Sequence, residues 1–154
     1  MTHLKEGDLA PNFEFTDHTG AKCSIEQFRG KKIILYFYPR DNTPGCTAEA
    51  CNLRDNYEDL KIKGFEVVGV SADSEKSHDK FRSKFELPFY LISDTEKKVL
   101  TDYGVWGEKK MMGRTYMGIH RLTFIIDEKG LIIKIFTKVN TKEHSQQIMT
   151  EIEK

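Results

Sequence analysis

One stretch of this chain restricts its fold more than any other. Residues 33–51 read Ile-Ile-Leu-Tyr-Phe-Tyr-Pro-Arg-Asp-Asn-Thr-Pro-Gly-Cys-Thr-Ala-Glu-Ala-Cys. The unbroken β-branched and aromatic run Ile33–Tyr38 predicts a strand buried on both faces. Pro39 stops it. Asp41, Asn42, Pro44 and Gly45 supply turn chemistry, and a helical pattern follows. A strand–turn–helix unit puts the turn at the carboxyl end of the strand, where α/β folds place their sites. Cys46 falls where the helix begins. Free backbone N–H groups and the positive end of the helix dipole favour an ionised thiol there, and the thiolate is the nucleophile. Thr43, three residues earlier, has a hydroxyl placed to reach the sulfur or a substrate oxygen beside it.

Cys51 lies five residues beyond Cys46. In an intact helix, two Cα atoms at that separation stand about 8.7 Å apart. A disulfide needs roughly 4.4–6.8 Å. Either the two thiols never pair, or pairing requires the first turns of the helix to unwind. The same helix carries Ala50, Leu53, Tyr57 and Leu60 within about 40° of the Cys46 direction, whereas Cys51 lies about 140° away. Cys46 is therefore expected to face the protein interior and Cys51 to lie nearer solvent, with Gly64 ending the helix.

Composition narrows the function. A chain of 154 residues is expected to form a single domain over 1–154. Lys plus Arg and Asp plus Glu both number 24, so the net charge is zero. A nucleic-acid binder carries a basic excess, and an anionic membrane surface also selects one; neither partner is expected. No stretch is long and apolar enough to span a bilayer, and the N-terminal residues lack a signal-peptide pattern. Three cysteines make no disulfide framework, which points to a reducing cytoplasm and a catalytic role for any pair.

Along the remainder, Phe13 and Phe15 alternate with polar neighbours before His18-Thr19-Gly20, predicting a short hairpin that contains Cys23. Ser24 to Gln27 reads as a capping box. Phe65–Ser71 is a second core strand, parallel to the first by its β–α–β order. A helix capped at Asp73 or Ser74 carries Phe81 and Phe85, and Phe89–Ile92 is a short strand. Val99, Leu100 and Tyr103 mark another helix. Val105–Gly118 reads as a long loop in which Trp106, Met111, Met112 and Met117 provide adaptable packing, with a lid over the active site or a docking surface as the alternative. Arg121–Asp127 and Leu131–Phe136 form a β-hairpin around Glu128-Lys129-Gly130, and Asn140 and Glu143 open a last helix.

The segment Tyr-Phe-Tyr-Pro-Arg-Asp-Asn-Thr-Pro-Gly-Cys-Thr-Ala-Glu-Ala-Cys closely resembles the active-site segment of the peroxiredoxins, in particular the Q-type or bacterioferritin comigratory class. The family's Pro-x-x-x-Thr-x-x-Cys motif falls on Pro39, Thr43 and Cys46, and its resolving cysteine on Cys51. Gly7-Asp8-Leu9-Ala10-Pro11-Asn12-Phe13 resembles the family's N-terminal signature. Gly118–Asp127 matches the segment that supplies a catalytic arginine, here Arg121. The resemblance implies a thioredoxin-like α/β fold, with a central mixed sheet flanked by helices. It also implies reduction of hydrogen peroxide and organic hydroperoxides through a Cys46 sulfenic acid. Cys51 would resolve that acid as an intrachain disulfide, and thioredoxin or a similar dithiol would reduce it. No cofactor or metal is implied, and a disulfide formed within one chain makes a monomer sufficient.

Arg121 is also conspicuous on its own terms. It opens an apolar strand, where a guanidinium suits a thiolate and the oxygens of a peroxide. Glu49 reads as a surface glutamate, with the orientation of Arg121 as its alternative role, and Arg40 and Arg54 read as surface cations. His120, next to Arg121, points to the other sheet face. Two cysteines two residues apart would indicate a protein dithiol oxidoreductase, and that spacing is not present. A peroxidase using Cys46 alone and a thioredoxin-like binding module with an inert Cys46 are the other readings.

Overall fold

The computed structural model describes residues 2–153. An N-terminal hairpin pairs β1 (Glu14–Thr16) with β2 (Lys22–Ser24). A 3-10 turn over Ile25–Phe28 follows, its backbone anchored where Ser24 N donates to Gln27 Oε1. Next come β3 (Lys32–Phe37), α1 (Pro44–Asp55), α2 (Tyr57–Ile62) and β4 (Phe65–Ser71). After them lie α3 (Glu75–Phe85), β5 (Tyr90–Ser93), α4 (Lys98–Asp102), β6 (Trp106–Met111) and β7 (Arg114–Ile119). The chain closes with β8 (Leu122–Ile126), β9 (Ile132–Phe136) and α5 (His144–Ile152).

Five strands form the central sheet in the order β5-β4-β3-β8-β9. β3, β4 and β5 run parallel, whereas β8 and β9 are antiparallel to their neighbours. This is the mixed sheet expected of a thioredoxin-like fold. The two-residue side-chain period of β3 divides the core. Ile33, Leu35 and Phe37 join one apolar cluster with the N-terminal hairpin and α4. Ile34, Tyr36 and the adjoining Tyr38 join a second cluster with α1, α2, α3 and α5. β3 is central and its side chains are buried on both faces, so its carboxyl end is a rigid platform for the turn that follows.

Two parts of the chain depart from the sequence-based expectation. The helix expected to run to Gly64 is interrupted at Asn56. The Asn56 side chain donates to the carbonyl of Asn52, competing with the backbone ladder at that point. Leu53, Tyr57 and Leu60 nevertheless stay on one buried stripe.

The second departure is larger. Residues 105–118, expected as a loop, form an antiparallel ribbon of β6 and β7. Its tip is the two-residue turn Met112-Gly113, both with positive φ (52° and 79°), the handedness that matches the twist of a tight hairpin. The ribbon has no buried face along most of its length, so no apolar alternation announced it. Met111, Met112 and Met117 are 59%, 96% and 53% exposed, so the adaptable packing expected of them does not take place in the interior.

Candidate active site

The turn between β3 and α1 is built by local chemistry. Asn42 adopts a left-handed conformation, Thr43 is the extended residue before the helix, and Pro44 occupies its first turn. Asp41 ties this turn to the neighbouring elements. Its backbone N–H donates to Asp73 Oδ2 at 2.8 Å. Its carboxylate accepts from the Tyr38 hydroxyl at 2.6 Å and the Ser77 hydroxyl at 2.8 Å, and meets His78 Nδ1 at 2.7 Å. Burial raises the Asp41 carboxyl, but the bonds to His78, Tyr38 and Ser77 more than offset this and hold it below its ordinary value. Asp41, Asp73 and His78 lie close enough to suggest a metal cluster, but these bonds already occupy their ligand atoms.

Cys46 lies within the first turn of α1 and is 1% exposed, on the apolar face that also holds Ala50 and Leu53. Arg121 precedes β8, which pairs with β3 and so brings the guanidinium to the helix start. Arg121 Nη2 donates to Cys46 Sγ at 3.2 Å, and Nη1 donates to Glu49 Oε1 at 2.7 Å. Gly45 makes room for this approach: a Cβ there would stand 3.2 Å from Arg121 Nη2. Burial pulls the Arg121 pKa down, yet Glu49 and Cys46 more than compensate, and the net shift is upward.

Glu49 is not the surface glutamate its sequence context suggested. It is 0% exposed, and it orients Arg121. Burial lifts its carboxyl to about 7 against the opposing pull of Arg121. Its helical offset of three from Cys46, about 60° around the helix, was the available signal. Nothing in the sequence pattern pointed to His144. α5 is docked on α1 by Asn52, whose Oδ1 accepts from Ser145 N at 2.7 Å. This puts His144 Nε2 3.7 Å from Glu49 Oε2. Burial pushes His144 down to about 4, outweighing its bond to Gln147.

The other candidates are placed less directly. The Thr43 hydroxyl donates to the Arg40 carbonyl at 2.9 Å and not to the sulfur. Pro39, Arg40 and Thr43 line one side of a cleft of about 490 Å³, whose other wall is the β6–β7 ribbon with Trp106, Lys109, Tyr116 and Met117. Lys109 donates to the Ile119 carbonyl at 2.9 Å; burial, then Arg121, lower its pKa. Cys51 is half-buried on α1, and all three cysteines are free thiols. Arg54 is engaged with Asp55 and the Phe85 carbonyl, and Arg40 is exposed. His120 bonds the Glu108 carbonyl, away from the sulfur. Chemically, the site presents one buried thiol under a guanidinium that a buried carboxyl holds in place. That arrangement sets a cation against the sulfur and can take up negative charge on a bound oxygen.

A family model described as the AhpC/TSA family matches residues 7–135. A putative peroxiredoxin bcp of Haemophilus influenzae is 46% identical over 149 residues, covering 97% of this chain and 96% of that protein. Peroxiredoxin Bcp of Escherichia coli K12 is 43% identical over 149 residues, with the same coverage. Among solved structures, a cysteine-to-serine mutant of Xylella fastidiosa PrxQ superposes with a TM-score of 0.91 at 28% identity, covering 99% of this chain and 98% of that one. A Xanthomonas campestris bacterioferritin comigratory protein, described for its alkyl peroxide reduction activity, gives 0.84 at 30% identity, covering 92% and 90%.

Proposed function

The chain belongs to the AhpC/TSA family of peroxiredoxins, and from that premise we propose that it is a thiol-dependent peroxidase with Cys46 as its nucleophile. The observation that carries this reading is the 3.2 Å bond from Arg121 to the Cys46 sulfur, with Glu49 holding the guanidinium from behind. The Cys46 thiolate attacks one peroxide oxygen along the O–O bond. Sulfur takes that oxygen and becomes a sulfenic acid, and the other oxygen leaves with a proton as water or an alcohol. The Arg121 guanidinium and the first amides of α1 face the charge that grows on the oxygens. Pro39 and Thr43 line the neighbouring cleft, and in this reading they shield the sulfur from water and position the peroxide.

The Cys51 thiolate then attacks the sulfenic sulfur, an S–S bond forms, and hydroxide leaves as water. Both cysteines lie in α1, so this step requires the start of that helix to unwind. A dithiol such as thioredoxin returns two electrons by exchange. Hydrogen peroxide and organic hydroperoxides are the substrates, a monomer in the cytoplasm suffices, and no cofactor takes part. Among the described residues, no helix is long and apolar enough to cross a membrane.

Mass spectrometry of the peroxide-treated protein tests the cycle. A Cys46–Cys51 linkage is expected, and a linkage through Cys23 overturns the assignment. Cys51→Ser separates the remaining alternatives. It should consume one equivalent of peroxide and then stall with thioredoxin; undiminished turnover means that Cys46 works alone.

A further inference from the structure

The buried face of Glu49 away from Arg121 is part of the same machinery. Gln147 Oε1 accepts from Asn140 N at 2.9 Å while its Nε2 donates to the Lys138 carbonyl at 2.7 Å, which fixes the orientation of that amide. His144 Nδ1 meets the same Oε1 at 2.9 Å, so Nδ1 carries the ring proton. Nε2 of the neutral ring is therefore a lone pair. It accepts from the Thr123 hydroxyl at 2.8 Å and faces Glu49 Oε2 at 3.7 Å. Glu49 Oε2 is itself buried and without a hydrogen-bond donor among the described residues. An anionic carboxylate oxygen that faces an electron-rich ring nitrogen and has no donor of its own is disfavoured in a dry interior, which favours the protonated carboxyl.

We propose that His144 is a positioning residue of this site: its electron-rich Nε2, facing the Glu49 carboxyl at 3.7 Å, disfavours the carboxylate form, and through that carboxyl it sets how much of the Arg121 charge reaches the Cys46 sulfur. The inference rests on the peroxidase reading only in taking Cys46 as the sulfur that Arg121 serves. With Glu49 protonated, the guanidinium has one anion to face, the Cys46 thiolate. With Glu49 ionised, the two anions share it. A titration of Glu49 thus becomes a second inflection in the reactivity of Cys46. The charged and titratable groups facing Glu49 are Cys46 on its own helix, Arg121 before β8, His144 on α5 and Tyr36 on β3, the last held neutral by burial. Burial places the Glu49 titration near 7 and keeps His144 neutral down to about 4, so the ring is an acceptor throughout the range that matters.

The test is the rate of Cys46 alkylation by iodoacetamide against pH, read peptide by peptide in the reduced full-length protein. His144→Phe keeps the ring and removes the acceptor. The inflection from Glu49 should move to lower pH by about one unit, making alkylation up to about tenfold slower between the shifted and the original inflections, with the rates converging on either side of that window. Thr123→Val has the opposite sign. It frees the Nε2 lone pair for Glu49 and should move the inflection to higher pH, and it serves as the independent test should His144→Phe not fold. In a Glu49→Gln background, neither substitution should alter the shape of the profile. A uniform drop at every pH, or an effect that persists in the Glu49→Gln background, overturns the proposal. A wild-type Cys46 no more reactive than a free thiol at any pH overturns the peroxidase reading instead.

Discussion

Replacing Glu49 by Gln gives the sharpest energetic test of the site. Gln keeps the shape, and its carbonyl can still accept from Arg121. What it removes is the titration. The native carboxyl ionises at about 7 against an ordinary value of 4.5, because burial outweighs Arg121. A carboxyl whose folded pKa is raised favours the protonated native state. Its contribution is therefore complete below about 4.5 and is lost as pH rises through about 7. At 1.36 kcal/mol per unit, the loss is roughly 3 kcal/mol. Denaturant unfolding of the reduced wild type and Glu49→Gln, each measured across this range, isolates the term. His144 titrates in both proteins and largely cancels. Wild-type stability should fall relative to the variant by roughly 3 kcal/mol between mildly acidic and mildly alkaline pH. Parallel profiles would refute the reasoning, since they would mean that Arg121 keeps Glu49 ionised throughout and that burial does not prevail.

Two further outcomes follow from the same geometry. Arg121→Gln should lower the rate of Cys46 oxidation by about 10²–10³-fold, as the loss of one donor to a developing oxyanion does, measured by stopped-flow with hydrogen peroxide. Asp41→Asn disturbs the buried hydrogen bonds to His78, Tyr38 and Ser77 and should destabilise the fold by about 1–3 kcal/mol in denaturant melts. It should also slow Cys46 oxidation less than Arg121→Gln does, because Asp41 holds the turn and does not touch the sulfur.

The cysteine and the arginine were legible in the sequence for different reasons. Cys46 follows a buried strand and a Thr-Pro-Gly turn, a local pattern complete within a few residues. Arg121 is an anomaly, a charge at the head of an apolar strand, and β3–β8 pairing brings it to the helix start. Glu49 was not legible as a buried residue, because helical periodicity reports which face a residue occupies and not what meets that face. Its partner stands 72 residues further along the chain. His144 was invisible for the same reason, since it comes from α5 by way of Asn52. The β6–β7 ribbon escaped for the converse reason. Its strands are largely solvated, and its left-handed Met112 lacks the Asn or Asp that usually announces such a turn.

The arrangement also bears on why a helix that starts so firmly can come apart when the proposed cycle needs it to. The first turn of α1 is held by the Thr47 N–H bond to the Thr43 carbonyl, by the Asp41 network beneath the turn, and by Arg121 on the Cys46 sulfur. The first two are indifferent to oxidation. The third is strongest when sulfur carries the charge, since a guanidinium attracts an anionic acceptor more strongly than a neutral one. Turning the thiolate into a neutral sulfenic acid therefore weakens the one tether that reaches the reacting atom, while the buried pocket around a sulfur 1% exposed must also admit an added oxygen. Glu49 remains to hold the guanidinium in place, so the released element is the helix turn and not Arg121. In the proposed cycle the chemistry itself would loosen Cys46 toward Cys51, and the reduced form should stay helical until a peroxide has been consumed.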